Sequence, residues 1–166
     1  MSRTPFFYVE RYNSHTERYE LQHPIVWNYE HTGREPADLY PYNGDHDLFS
    51  IVEDDVGEYE FPNMFGIHGG LPKDVSKDIR NEYDKCCYET SYEDKTYLYT
   101  PKAHWFTYAD MYIYCIEHPV YKTYDNKKKP TPLKRLKDRV DAFFEVMDGW
   151  DWREDYSQIR IVYWIE

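Results

Sequence analysis

The chain has 166 residues, of which 41% are hydrophobic and 31% charged, and its formal net charge is −11; this length suits a single domain with one core of ordinary size. So acidic a chain is repelled by phosphate backbones, which argues against generic or direct sequence-specific nucleic-acid binding. No signal-peptide pattern opens it and no apolar run reaches the length of a membrane span, so a cytoplasmic protein with no membrane partner is expected.

In chain order, residues 5–12 (Pro5-Phe-Phe-Tyr-Val-Glu-Arg-Tyr12) are rich in aromatic and β-branched side chains and predict a strand. Residues 18–22 alternate and predict its hairpin partner; 25–29 form a third strand candidate, and 33–41 a loop punctuated by Gly33 and Pro41. Asp45 precedes Leu48, Phe49, Ile51 and Val52, a spacing that suits a short amphipathic helix capped by the carboxylate. Residues 61–72 carry Pro62, Gly66, Gly69, Gly70 and Pro72, too many breakers for regular structure. Ser76 then caps a helix whose stripe is Val75, Ile79 and Tyr83.

Residues 86–99 predict a tyrosine-rich loop or edge strand. Thr107 with Asp110 forms a capping-box pattern, and Phe106 with Met111 a hydrophobic staple, for a helix that ends before Pro119. The clearest helix runs over 132–148. Thr131 is its N-cap, Pro132 its first position and Gly149 its C-terminal cap, while Leu133, Leu136, Val140, Phe143, Phe144 and Met147 share one face. Residues 159–165 predict a closing strand. The expected fold class is α+β: a small antiparallel or mixed sheet covered by about three to four helices, with the two terminal segments as candidate neighbours.

The three cysteines, Cys86, Cys87 and Cys115, include an adjacent pair and an odd total, which argues against a disulfide framework. Charge is unevenly placed. Residues 38–62 hold eight carboxylates and no Lys or Arg, whereas 122–139 hold eight basic residues against Asp125 and Asp138. Two solvated faces are the favoured reading, and a partner surface or head-to-tail assembly is the other. The 19 tyrosines, with 5 Trp and 8 Phe, suit a folded binding protein, because such rings bury much area at little entropic cost and keep a polar edge.

Four segments carry candidate chemistry. In Asn43-Gly-Asp-His-Asp47, Asp45 and His46 stand where donors for a divalent cation or an acid–base pair would stand, although a turn with an N-cap is favoured. In Gly66-Ile-His-Gly-Gly-Leu-Pro72, His68, Gly69 and Gly70 offer backbone amides to an anion beside the Ser76 helix start; the segment lacks the Gly-Lys-Ser/Thr ending of a P-loop, and a structural turn is again favoured. In Lys102-Ala-His-Trp-Phe106, Trp105 is placed to stack on a base while His104 and Lys102 bond its edge or phosphate, against a reading in which Trp105 and Phe106 are core and His104 is exposed. The seven histidines with Cys86 and Cys87 form neither C-x-x-C nor H-E-x-x-H, so neither metal nor cofactor is expected. Arg160, alternating with apolar residues in the last strand, either snorkels to solvent, the favoured reading, or faces a pocket anion.

Four landmarks, Tyr40-Pro-Tyr-Asn-Gly-Asp-His-Asp-Leu-Phe49, Gly69-Gly-Leu-Pro-Lys-Asp-Val-Ser76, His104-Trp-Phe-Thr107 and Ile159-Arg-Ile-Val-Tyr-Trp164, occur in an order that resembles a family of small, mostly uncharacterised proteins encoded by bacteriophages and prophages. Those relatives carry NYxLF, RGLPxDxS, HSxSWLT and a terminal RIVFWFD, and the resemblance covers roughly residues 38–166. The chain departs from the pattern at Gly69, where the relatives have Arg, and at Thr100-Pro-Lys102, which replaces the first His-Ser pair. The resemblance implies a phage origin and action in the cytoplasm of an infected bacterium, but no settled activity.

Asp45, His46, His68, Gly69, Gly70, His104 and Trp105 are therefore the candidate ligand-binding residues, with no catalytic residue assigned. The leading expectation is a non-enzymatic binder that sequesters a small nucleotide-derived host-defence signal, with room for a homo-oligomer. The next is an inhibitor that binds a host nuclease or other defence protein through acidic residues 38–62. An enzyme built on Asp45, His46, Asp47 and His68 or His104 ranks third and requires those groups to converge.

Overall fold

The computed structural model describes residues 5–22, 48, 51–52, 61–147 and 156–165. The strand candidate at 25–29, the loop at 33–41, the Asp45 cap, Gly149 and nearly all of the acidic run lie outside them. The strands are β1 (Pro5–Asn13), β2 (Arg18–Gln22), β3 (His68–Gly69), β4 (Tyr88–Tyr92), β5 (Lys95–Tyr99), β6 (Ala103–Thr107), β7 (Val120–Lys122), β8 (Lys128–Pro130) and β9 (Ile159–Ile165). The helices are α1 (Lys77–Lys85), α2 (Tyr108–Glu117) and α3 (Leu133–Met147).

An antiparallel sheet of order β2-β1-β9-β6-β3 forms the centre of this α+β fold. The first and last described strands are neighbours, with Phe7 opposite Tyr163 and Glu10 opposite Arg160. Side chains alternate between the two faces of a strand, and both faces of β9 are buried. Ile159, Ile161 and Tyr163 join Phe7, Val9 and Phe106 in a core with Tyr108, Met111 and Tyr114 of α2 and Leu133, Leu136, Val140 and Phe144 of α3. Leu48, Ile51 and Val52, whose backbone is helical, close the same core. Val162 and Trp164 face the other way, into a second cluster with Tyr8, Ala103 and Ile79 of α1.

Local rules account for the helix starts. The Ser76 hydroxyl accepts from the Ile79 amide, and Thr107 with Asp110 forms both halves of the capping box. α3 differs from expectation at its start. Thr131 Oγ1 is buried without a hydrogen-bond partner among the described residues, so it does not cap the helix. The Thr131 amide instead donates to the Pro119 carbonyl, which ties the helix entry to the end of α2.

Two hairpins differ from the sequence reading, which has a loop or edge strand over residues 86–99 and no strand over 120–130. Residues 88–99 pair as β4–β5 around Glu93–Asp94, both with positive φ, and Lys122 pairs with Lys128 in β7–β8. The breaker-rich 61–72 segment also contributes the short strand β3, because Gly70 at φ +83° lets the chain turn away after two paired residues.

Candidate functional site

The sheet brings His68 and Trp105 together and turns His104 away. His68 lies opposite Trp105 in the β3–β6 register, and their rings stack at 4.1 Å. Neighbouring residues on a strand point to opposite faces, so His104 stacks on Tyr163 of the other face at 5.5 Å. Burial, and secondarily the charge of Lys102, lowers the His104 pKa below its ordinary value. A single flat ligand therefore does not meet both Trp105 and His104. His68 is exposed and Trp105 half-buried.

Beyond Trp105 the row continues to Arg160, whose guanidinium carbon is 5.5 Å from the Trp105 ring and 3.5 Å from that of Tyr19. Arg160 neither snorkels to solvent nor faces a pocket anion. It is 3% exposed, and Nε donates to Glu10 Oε2 at 2.5 Å, while Nη1 and Nη2 donate to the Asp74 carboxylate and carbonyl at 2.7 and 3.1 Å. The second Glu10 oxygen accepts from the Ser76 amide at 2.6 Å. The anion at the start of α1 is thus the protein's own Glu10, which joins the helix dipole to a buried guanidinium.

The glycine segment is likewise engaged from within. The Gly70 amide donates to the Ala103 carbonyl at 2.7 Å. A Cβ at Gly69 or Gly70 would meet no atom within 4 Å, so neither glycine is there for close packing. Gly66 has that role instead: a Cβ there would lie 2.6 Å from the Asp110 carboxylate of the capping box. Asp45 and His46 lie outside the described residues, as does Asp47. Among the described residues no group of three or more His, Cys, Asp or Glu side chains could hold a metal ion.

A cleft of about 410 Å³ opens between α2, the β7–β8 hairpin and the start of α3. Its walls are Tyr112, Cys115, Ile116, Pro119, Val120 and Pro130, and Thr131, Lys134 and Lys137 complete it. Lys137 Nζ sits 5.6 Å from the Tyr112 ring centroid and 2.7 Å from Asp141, whose other oxygen accepts from the Tyr108 hydroxyl. Lys134 pairs with Asp138 at 2.6 Å in solvent. Cys115 is a free thiol pushed up to about 11 by burial, so it packs rather than reacts at neutral pH. None of the residues nominated from sequence lines this cleft. Both of its lysines belong to the basic run 122–139, for which a solvated face is the favoured sequence reading.

No protein-family model, curated protein or solved structure matches the chain. No helix among the described residues is long and apolar enough to cross a membrane.

Proposed function

We propose that this protein is a phage accessory protein that acts against host defence by binding, without catalysis, a small nucleotide-derived signal in the infected cell's cytoplasm. The observation that carries the reading is the α2/α3/β7–β8 cleft: apolar walls, one aromatic ring and two ammonium groups within the basic stretch of an otherwise acidic chain. Its volume lies within the range of small-molecule sites, roughly 300–1,000 Å³. A base packs on Tyr112 and Ile116, and phosphate oxygens take Lys134 and Lys137 in exchange for their intrachain carboxylates. The exposed His68 ring at the sheet edge is a second, smaller stacking surface.

Native mass spectrometry against a panel of linear and cyclic mono- and dinucleotides tests this. A one-to-one adduct released intact on denaturation is expected, with affinity reduced about tenfold by Lys134→Met and by Lys137→Met. Absence of any adduct sinks the reading, and recovery of a chemically altered nucleotide replaces it with an enzyme.

The second reading, a protein-directed inhibitor of a host nuclease or defence effector, is favoured by one feature. The β4–β5 hairpin exposes Tyr88, Tyr92, Tyr97 and Leu98 to solvent, a composition like that of protein-binding loops.

A further inference from the structure

We propose that the protein self-associates head to tail, with the β4–β5 hairpin of one copy docking on the β7–β8/α2 face of the next. Tyr88, Tyr92, Tyr97 and Leu98 are between 49% and 67% exposed. In the β4–β5 register Tyr88 faces Tyr99 and Thr90 faces Tyr97, so period-two alternation puts Tyr88, Tyr92, Tyr97 and Tyr99 on one side of the ribbon. A two-stranded ribbon is marginal in water unless a face is covered. Its tip bears Glu93 and Asp94.

The complementary surface lies on the same chain. Ile116 and Val120, which line the cleft, are 60% and 50% exposed. Val120 pairs with Pro130 and Lys122 with Lys128, so Lys122 and Lys128 extend the same side of β7–β8 that Val120 and Pro130 present to the cleft. An acidic tip beside tyrosines thus meets a basic rim beside apolar side chains. The net charge of −11 does not forbid this, because at physiological salt exposed charges further apart than about 8 Å are largely screened while contacting pairs are screened less. Docking here also covers the mouth of the cleft, so the partner's tyrosines enclose whatever the cleft holds.

Sedimentation equilibrium of the full chain without nucleotide tests the association apart from the ligand reading. Concentration-dependent association is expected, weakened about tenfold or more in molar salt. Glu93→Lys/Asp94→Lys and Lys122→Glu/Lys128→Glu should each be monomeric, and mixing these two variants should restore association. Tyr92→Ser/Tyr97→Ser should be monomeric with an unchanged circular dichroism spectrum, which separates lost docking from lost folding. Wild-type protein that remains monomeric into the millimolar range overturns the proposal, as does failure of the mixed variants to pair. A monomer whose hairpin instead captures a host protein also overturns it, and assigns the hairpin to the inhibitor reading.

Discussion

Arg160 shows how two carboxylates on one guanidinium contribute unequally. Glu10 is fully buried, whereas the Asp74 side chain is 66% exposed. Removing one partner of a buried pair leaves an uncompensated charge and costs about 3–5 kcal/mol, while exposed pairs contribute roughly 1 kcal/mol or less. Urea denaturation should therefore show Arg160→Met destabilised by about 3 kcal/mol or more and Asp74→Asn by under about 1 kcal/mol. Glu10→Gln/Arg160→Met should cost less than the two single changes summed, because neither ion is then left alone. His104 supplies a pH signature. Its folded pKa is lowered by burial first and by Lys102 second, so the unfolded chain binds the proton more readily. Its contribution to stability is complete above the unfolded value near 6.5 and is lost as pH falls below it toward the folded value. A stability–pH profile of His104→Phe should be flatter than wild type in that window; an identical slope would assign the acid sensitivity to other groups.

At the scale of elements, what was legible in the sequence was local. Ser76 and the Thr107–Asp110 box lie within a few residues of the groups they serve, and the helical stripe of α3 puts Leu133, Leu136, Val140 and Phe144 in the core. Partners from far along the chain were mostly hidden, the pairing of the two terminal strands being the exception. Arg160 reads as a snorkelling side chain until Glu10 and Asp74 arrive from other elements. The cleft exists only where α2, α3 and β7–β8 meet, and Asp45 and His46 lie outside the described residues. The β4–β5 turn was hidden because Glu93 and Asp94 take left-handed angles that Asn-Gly would advertise. Thr131 gives the sharpest contrast. A working N-cap threonine would make Thr131→Val cost about 1 kcal/mol. Its hydroxyl is buried without a hydrogen-bond partner among the described residues, so the same-shaped apolar side chain should stabilise the protein by about 1 kcal/mol. The sign of the change in thermal denaturation decides between the two.

For the whole molecule, the decisive fact is that the last described strand is the middle of the sheet. β9 pairs with β1 on one side and β6 on the other, and six consecutive residues from Ile159 to Trp164 are buried. It also supplies members of both core clusters and the guanidinium that ties Glu10 to the loop before α1. Without it, β1–β2 and β6–β3 become separate pairs with no described strand joining them, each below the three strands an isolated sheet needs. Closing β1 onto β9 also brings the two ends of the described chain together, a contact whose loop-closure entropy is met late in folding. A chain shortened to residues 1–157 should therefore lack the cooperative thermal transition and dispersed amide spectrum of the full protein. A peptide spanning 156–166, added in trans, should restore both, because the strand it supplies has neighbours and core contacts on every side. Cooperative unfolding of the shortened chain alone would show that one half of the sheet with its helices is self-sufficient, and would demote β9 from keystone to clamp.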